Sequence, residues 1–147
     1  MRRAVRAIII KDKKLLVMHR NKFGDEYDTL PGGNVEVGET LEEALRREVT
    51  EETMVNFDGE RLVFLEHAGH PYGDQYVYLC KYQSGEPQLH PDSEEEQINR
   101  LGKNLYRPAW LALSDLPTSP FLSKKLKEHI LHGVEHGWPK KSLEFKS

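Results

Sequence analysis

A mixed α/β (α+β) fold is predicted from three observations. Apolar β-branched and alternating segments mark strands on both sides of one long helix, that helix carries its own start signal, and a second helix follows the last strand signal. The 147 residues fit one domain, 1–147, of ordinary size. A chain of this length buries a core without disulfide staples.

Val5 to Ile10 is an apolar, β-branched run and reads as a buried strand. Asp12-Lys13-Lys14 is a polar turn, and Leu15 to Met18 reads as a second strand paired to the first. Asn21 to Asp28 is polar with Gly24 inside it and is expected to be a loop. Pro31-Gly32-Gly33 is expected to lie outside helices and central strands. Thr40 to Thr53 is the clearest helix, with Thr40 and Glu43 spaced as a capping box. Arg61 to Leu65 and Gln75 to Tyr82 read as strands. The latter places Tyr76, Tyr78 and Cys80 on one face and Val77 and Leu79 on the other. Gly85 to Asn104 is polar, with an acidic run at Glu94-Glu95-Glu96, and Trp110 to Leu113 is a short strand. Ser123 caps the final helix, in which Leu126, Ile130 and Val134 recur every fourth residue and Gly133 lies near the end.

Charged residues make up 31% and hydrophobic ones 37%, a soluble composition. A formal net charge of -3 lacks the basic footprint of nucleic-acid binders, so no polymeric nucleic acid is expected as partner. Cys80 is the only cysteine, which excludes an intrachain disulfide and suits a reducing compartment; its alternating segment marks it as core filler. The apolar run near the N-terminus is short and ends in charge, so neither a signal peptide nor a membrane span is expected, and the chain reads as cytoplasmic.

The central helix carries the chemistry. At about 100° per residue, Leu41, Ala44, Leu45, Glu51 and Glu52 all fall within about 60° of Glu48. Three glutamates thus continue the core-facing stripe, while Glu42, Glu43, Arg46 and Thr50 point to water. Each like-charge pair at i,i+3 or i,i+4 costs about 0.2–0.5 kcal/mol on a helix surface. The late turns of a helix also disfavour anions. A bound divalent cation removes the conflict, and an all-oxygen set without cysteine or histidine suits a hard ion, Mg²⁺ with Mn²⁺ as substitute. Such an ion neutralises phosphate charge and lowers the pKa of an attacking water. The glycines at 32 and 33 let backbone approach a ligand closely.

Gly33 to Val55 reads GNVEVGETLEEALRREVTEETMV. This segment resembles the box of the Nudix (MutT-like) hydrolases: glycine, five residues, glutamate, seven residues, then Arg-Glu-aliphatic-any-Glu-Glu-any-Gly-aliphatic. Glu39 fills the first acidic position. Arg47, Glu48, Val49, Glu51, Glu52 and Val55 fill the later ones. The Leu30-Pro31-Gly32 lead-in and the Asn104 to Trp110 segment are also similar to that family. The resemblance implies a mixed sheet sandwiched between helices and a Mg²⁺-dependent hydrolase acting on phosphoric anhydride bonds. It implies Glu48, Glu51 and Glu52 as metal ligands with the Gly33 carbonyl. Arg47 would orient a carboxylate, and Glu39 would brace loop and helix. A carboxylate from a later segment often joins such sites; Glu94, Glu95 and Glu96 are candidates, with Glu96 favoured. Two departures stand out. Met54 occupies the box glycine, where a left-handed backbone would cost about 1–2 kcal/mol, so either the turn differs or the strain is tolerated. Asp28 stands where an aromatic residue is common, with Tyr27 beside it.

The implied partner is a small nucleoside diphosphate derivative, with a second copy of the chain in a homodimer. The family's downstream signals, a proline for ADP-ribose and a tyrosine for dinucleoside polyphosphates, are both met by Pro71 and Tyr72 and so decide nothing. Tyr76, Tyr78 and Tyr82 are read as core rather than base-stacking residues, and His67, His70 and His90 as surface or loop residues. Two alternatives stay open, a non-catalytic nucleotide sensor and a plain metal-binding protein. Pure nucleotide binding does not require the three intact glutamates.

Overall fold

The structure, a computed structural model, describes residues 2–147. Its elements run β1 (Arg3–Lys11), β2 (Lys14–Lys22), β3 (Asp25–Thr29), β4 (Gly32–Asn34), α1 (Leu41–Thr53), β5 (Asn56–His67), β6 (Asp74–Ser84), α2 (Glu94–Asn99), β7 (Asn104–Ala112), a 3-10 turn (Leu113–Thr118), α3 (Lys124–His136) and β8 (Leu143–Lys146). The strands form a mixed sheet in the order β3-β2-β1-β6-β5-β8, with β4 paired to β1 and β7 paired to β2. β1 and β2 meet only at their shared turn, through Ile10↔Leu15 and Lys11↔Lys14. Beyond it the sheet divides into two limbs. β1 continues between β6, which is parallel, and β4, which is antiparallel. β2 continues between β3 and β7.

β1 shows why two helix layers are needed. Successive side chains of a strand point to opposite faces. Val5, Ala7 and Ile9 pack with Ala44, Leu45 and Val49 of α1, and Ile8 packs with Leu126 and Ile130 of α3. The sheet is therefore sandwiched between helices. Fully burying a Leu, Ile or Val side chain contributes about 1.5–3 kcal/mol, and such residues are the majority in both cores. β6 alternates in the same way: Tyr78 and Cys80 join the α1 side, Val77 the α3 side. Cys80 is buried filler, and that burial pushes its thiol pKa up.

Several elements depart from the sequence reading. Asn21 to Asp28 is a hairpin rather than a loop: β2 runs on to Lys22, and β3 pairs back from Asp25. Phe23 and Gly24 make its two-residue turn, both with positive φ, at 53° and 94°. Such mirror-image turns match strand twist but favour Asn or Gly first, so Phe23 concealed the signal. Gly32–Asn34 does enter the sheet, as β4. A Cβ on Gly32 would sit 1.9 Å from the Val5 carbonyl oxygen, so only glycine permits this pairing. β5 and β7 are longer than expected, the polar stretch contains α2, and Leu113 belongs to the 3-10 turn. In α3, Leu126 and Ile130 are buried but Val134 is 40% exposed; the inward position is Gly133, against Trp138. His67, read as a surface or loop residue, is partly exposed and lies within β5. Among the described residues no helix is long and apolar enough to cross a membrane.

Candidate active site

α1 begins where its capping box closes. Thr40 Oγ1 accepts from Glu43 N at 3.1 Å, and the Glu43 carboxylate accepts from Thr40 N at 3.0 Å. The starting point sets which residues face inward. Ala44, Leu45, Val49, Glu52 and Thr53 are buried, while Glu42, Glu43, Arg46 and Thr50 are exposed. α1 ends at Met54, whose φ of 56° and ψ of 19° are left-handed and whose N–H donates to Thr50 O. The box glycine's backbone is therefore kept and its strain borne by methionine. The Met54 sulfur accepts from Gln88 Nε2 at 3.4 Å.

The three box glutamates differ in setting. Glu52 is 6% exposed, and its Oε2 accepts from Gly32 N at 3.0 Å. Burial pushes its pKa up to about 8, with Glu95 and Glu48 adding to the rise, while Arg6 and the Gly32 N–H oppose it. Glu48 is also raised by burial and by Glu51 and Glu95, against the pull of Arg47. Glu51 is half-exposed, with Arg47 Nη1 at 3.6 Å.

Arg47 ties the preceding loop to the helix. Its Nε and Nη2 donate to the two oxygens of Glu39 at 2.7 and 2.8 Å, Nη2 donates to Asn34 O at 3.0 Å, and Nη1 donates to Glu48 Oε1 at 2.7 Å. The hydrogen bonds from Arg47 hold the Glu39 carboxyl down at about 2. Gly33 packs closely on Glu48: a Cβ there would lie 2.4 Å from Glu48 Oε2, so the carboxylate would have to move.

Part of this set borders a cleft of about 630 Å³, whose lining does not include Glu51, Arg47 or Glu39. Gly33, Glu48 and Glu52 line it together with Glu94 and Glu95 at the start of α2. Glu96, the residue favoured from sequence, does not line the cleft. It lies toward Arg100, and its backbone N–H is taken by the capping Ser93. The first turn of a short helix spreads successive side chains around the axis, and Ser93 sets which of them face in. Of the two that line the cleft, Glu94 is exposed and Glu95 is half-buried, with its pKa raised by burial and then by Glu51 and Glu94.

The cleft also gathers residues that the sequence reading passed over. Arg6 of β1 is half-buried, donating from Nε to Gln75 Oε1 at 3.0 Å and from Nη1 to Leu30 O at 3.2 Å. A charged residue inside an otherwise apolar strand run was its available signal. Arg20 lies 3.6 Å over the Tyr106 ring centroid and is held by Asn104 and the Leu105 carbonyl. Tyr72 reaches the cleft, whereas Tyr76, Tyr78 and Tyr82 pack in or against the α1-side core.

The donor set fits a hard divalent ion, being carboxylate oxygens with no thiolate or imidazole among them. Glu48 and Glu52 each use one oxygen in the bonds above, and both residues line the cleft. Among the described residues no three of these side chains already stand close enough to enclose an ion.

The NUDIX domain family profile matches residues 1–131. The chain is 30% identical over 112 residues to an NAD-capped RNA hydrolase, NudC, of Escherichia coli, an alignment that covers 76% of this chain and 39% of that protein. The chain thus spans well under half the length of the curated relatives it matches. Among solved structures, an ADP-ribose pyrophosphatase from Streptococcus suis superposes with a TM-score of 0.67 at 22% identity, covering 99% of this chain and 98% of its own. A MutT NUDIX hydrolase from Burkholderia pseudomallei superposes at 0.65 with 26% identity, covering 86% and 94%. The fold and the box geometry define a Nudix-type domain, and this chain belongs to the Nudix family.

Proposed function

We propose that the protein is a Mg²⁺-dependent pyrophosphohydrolase that cleaves the diphosphate linkage of a nucleoside diphosphate derivative in the cytoplasm. The observation that carries this reading is the crowding of negative charge: buried Glu52 shares a cleft with Glu48 and Glu95, Glu51 is near enough to raise both Glu48 and Glu95, and the cleft carboxylates are pushed toward protonation. A fold chosen for stability alone does not gather such groups. Glu48, Glu51 and Glu52 would hold the ion, with the Gly33 carbonyl, and Glu95 takes the part first assigned to Glu96. When bound, Mg²⁺ (or Mn²⁺) neutralises phosphate charge and activates water.

The chain's own groups do the rest. Arg47 orients Glu48 and fixes the loop before α1. Arg6 and Arg20 offer guanidinium donors to phosphate oxygens, the geometry that arginine recognises best. The substrates expected from the sequence are a nucleotide, a nucleotide sugar, ADP-ribose or a dinucleoside polyphosphate; similarity to an ADP-ribose pyrophosphatase supports the third, and similarity to an NAD-capped RNA hydrolase adds NAD-linked groups.

The test is a panel of nucleoside triphosphates, ADP-ribose, nucleotide sugars, dinucleoside polyphosphates, NADH and NAD-capped RNA, assayed for phosphate or nucleotide release with Mg²⁺. Glu51→Gln and Glu52→Gln are expected to abolish turnover while circular dichroism is retained. Full activity in both variants would overturn the proposal, and tight nucleotide binding without any turnover by the unaltered protein would point to a sensor instead.

A further inference from the structure

Away from the box glutamates, the same cleft contains a second carboxylate with a different environment. Glu66 of β5 is 2% exposed, yet it lines the cleft. Its Oε2 accepts two hydroxyls, from Ser123 Oγ at 2.5 Å and from Ser147 Oγ at 2.6 Å. Two donors use both lone pairs of that oxygen. Oε1 has no hydrogen-bond partner among the described residues. Among the described residues no side-chain nitrogen or oxygen sealed from solvent lacks a partner, so Oε1 is not sealed, and the space that Glu66 lines is the cleft.

The two serines are placed by separate elements. Ser123 is the N-cap of α3, accepting from Leu126 N at 3.1 Å while it donates to Glu66. Ser147 is brought in by β8, which pairs in parallel with β5 from Phe64 to His67, and its own N–H donates to His67 O at 3.2 Å. The carboxylate is thus fixed from two sides with one oxygen left for a ligand. The same cleft presents Ala68, Tyr72, Phe121 and Leu126, and Arg6 is near enough to feel the Glu66 charge. Those surfaces suit the faces of a flat ring, and the free oxygen suits a donor on its edge.

We infer that Glu66 is a specificity-determining residue that accepts a hydrogen bond from the exocyclic amino group of the substrate's nucleobase. The inference rests on the reading of this cleft as a nucleotide site. A base that presents a carbonyl edge there would face a carboxylate lone pair and leave both groups unpaired. A site built around a buried acceptor rejects an analogue that lacks the donor.

The test is equilibrium binding of nucleoside α,β-methylene diphosphates with Mg²⁺ by titration calorimetry, comparing guanosine with inosine, adenosine with purine riboside, and cytidine with uridine. In at least one pair the amino-bearing member is expected to bind at least tenfold tighter, and Glu66→Gln is expected to bring the ratio below threefold. If Glu66→Gln does not fold, Ser147→Ala, at an exposed position, is expected to lower the ratio at least threefold. Equal affinities in all pairs, no nucleotide binding at all, or a ratio unchanged in the variants overturns the inference. So does an affinity that collapses in the 2′- or 3′-deoxy forms and not on loss of the amino group, because the donor is then the sugar. Binding needs no turnover, so an inactive hydrolase panel with amino discrimination intact removes the proposed reaction and leaves this assignment standing. The converse result does the opposite.

Discussion

Arg47 and Glu39 face one another through two parallel contacts, Nε to Oε2 at 2.7 Å and Nη2 to Oε1 at 2.8 Å, while the remaining arm of Arg47 holds Glu48 Oε1. One guanidinium therefore fixes the loop before α1 and aims a carboxylate of the proposed metal site. Lysine cannot reproduce this fork. Arg47→Lys is expected to lower turnover of the best panel substrate at least tenfold and to lower the melting temperature by only a few degrees. Steady-state kinetics beside a thermal melt checks this. Unchanged turnover would remove Arg47 from the catalytic apparatus and leave it structural.

Met54 borders the same helix and carries its left-handed turn. The left-handed conformation costs an ordinary side chain about 1–2 kcal/mol, and glycine gives part of that back as chain entropy in the unfolded state. Met54→Gly is expected to stabilise the fold by about 0.5–1 kcal/mol, and a β-branched Met54→Val to destabilise it. Urea unfolding of the pair decides. If glycine is destabilising, the sulfur contact with Gln88 outweighs the strain.

Gly133 makes room for Trp138. A Cβ at Gly133 would lie 2.3 Å from Trp138 Cε3, so the indole must shift. Gly133→Ala is expected to cost about 1–3 kcal/mol, the range for overpacking, with a red shift of tryptophan emission as the ring loosens from Phe64. Unchanged fluorescence and stability would show that the ring can slide at no cost.

His67 links β8 to the sheet: Nδ1 meets Asp74 Oδ1 at 2.7 Å and Nε2 meets Glu144 Oε1 at 2.5 Å. Hydrogen bonds donated to Asp74 and Glu144 raise the His67 pKa above its usual 6.5. A raised folded pKa means that the contribution is fully present below 6.5 and is lost as pH climbs through the raised value. Amide exchange at Phe145 is accordingly expected to accelerate, beyond its intrinsic pH dependence, over that window, and Glu144→Gln to lower the His67 pKa in an NMR titration. A titration curve unaffected by Glu144→Gln would dissociate His67 from β8.

What could be read without coordinates follows from the range of the forces involved. Local signals were enough for α1: the Thr40 and Glu43 cap and the Leu41, Ala44, Leu45 stripe lie within the helix they specify, and Glu52 duly comes out buried. The β2–β3 hairpin was missed because its far end is solvated on both faces, so no alternation marks Asp25 to Tyr27, and Phe23 occupies a turn position where Asn or Gly announces itself. β4 was missed because its pairing depends on how closely Gly32 approaches Val5, a contact between distant residues. The cleft residues Arg6, Arg20 and Glu66 come together only through strand order. The acidic run at Glu94 to Glu96 was visible as a candidate set, but the phase of a one-and-a-half-turn helix depends on Ser93, and that phase brings Glu94 and Glu95 to the cleft rather than Glu96.

The order in which the chain supplies the cleft has a consequence for how such a protein can diversify. The groups proposed to break the bond come from Gly33 to Glu52 and from α2, whereas Phe121, Ser123 and Ser147 reach the cleft from the last third of the chain. Alterations in the later stretch can re-address the molecule to another leaving group without touching the hydrolytic apparatus. A lineage built on this plan can exchange its recognition wall piecemeal, keeping one chemistry while its clientele drifts.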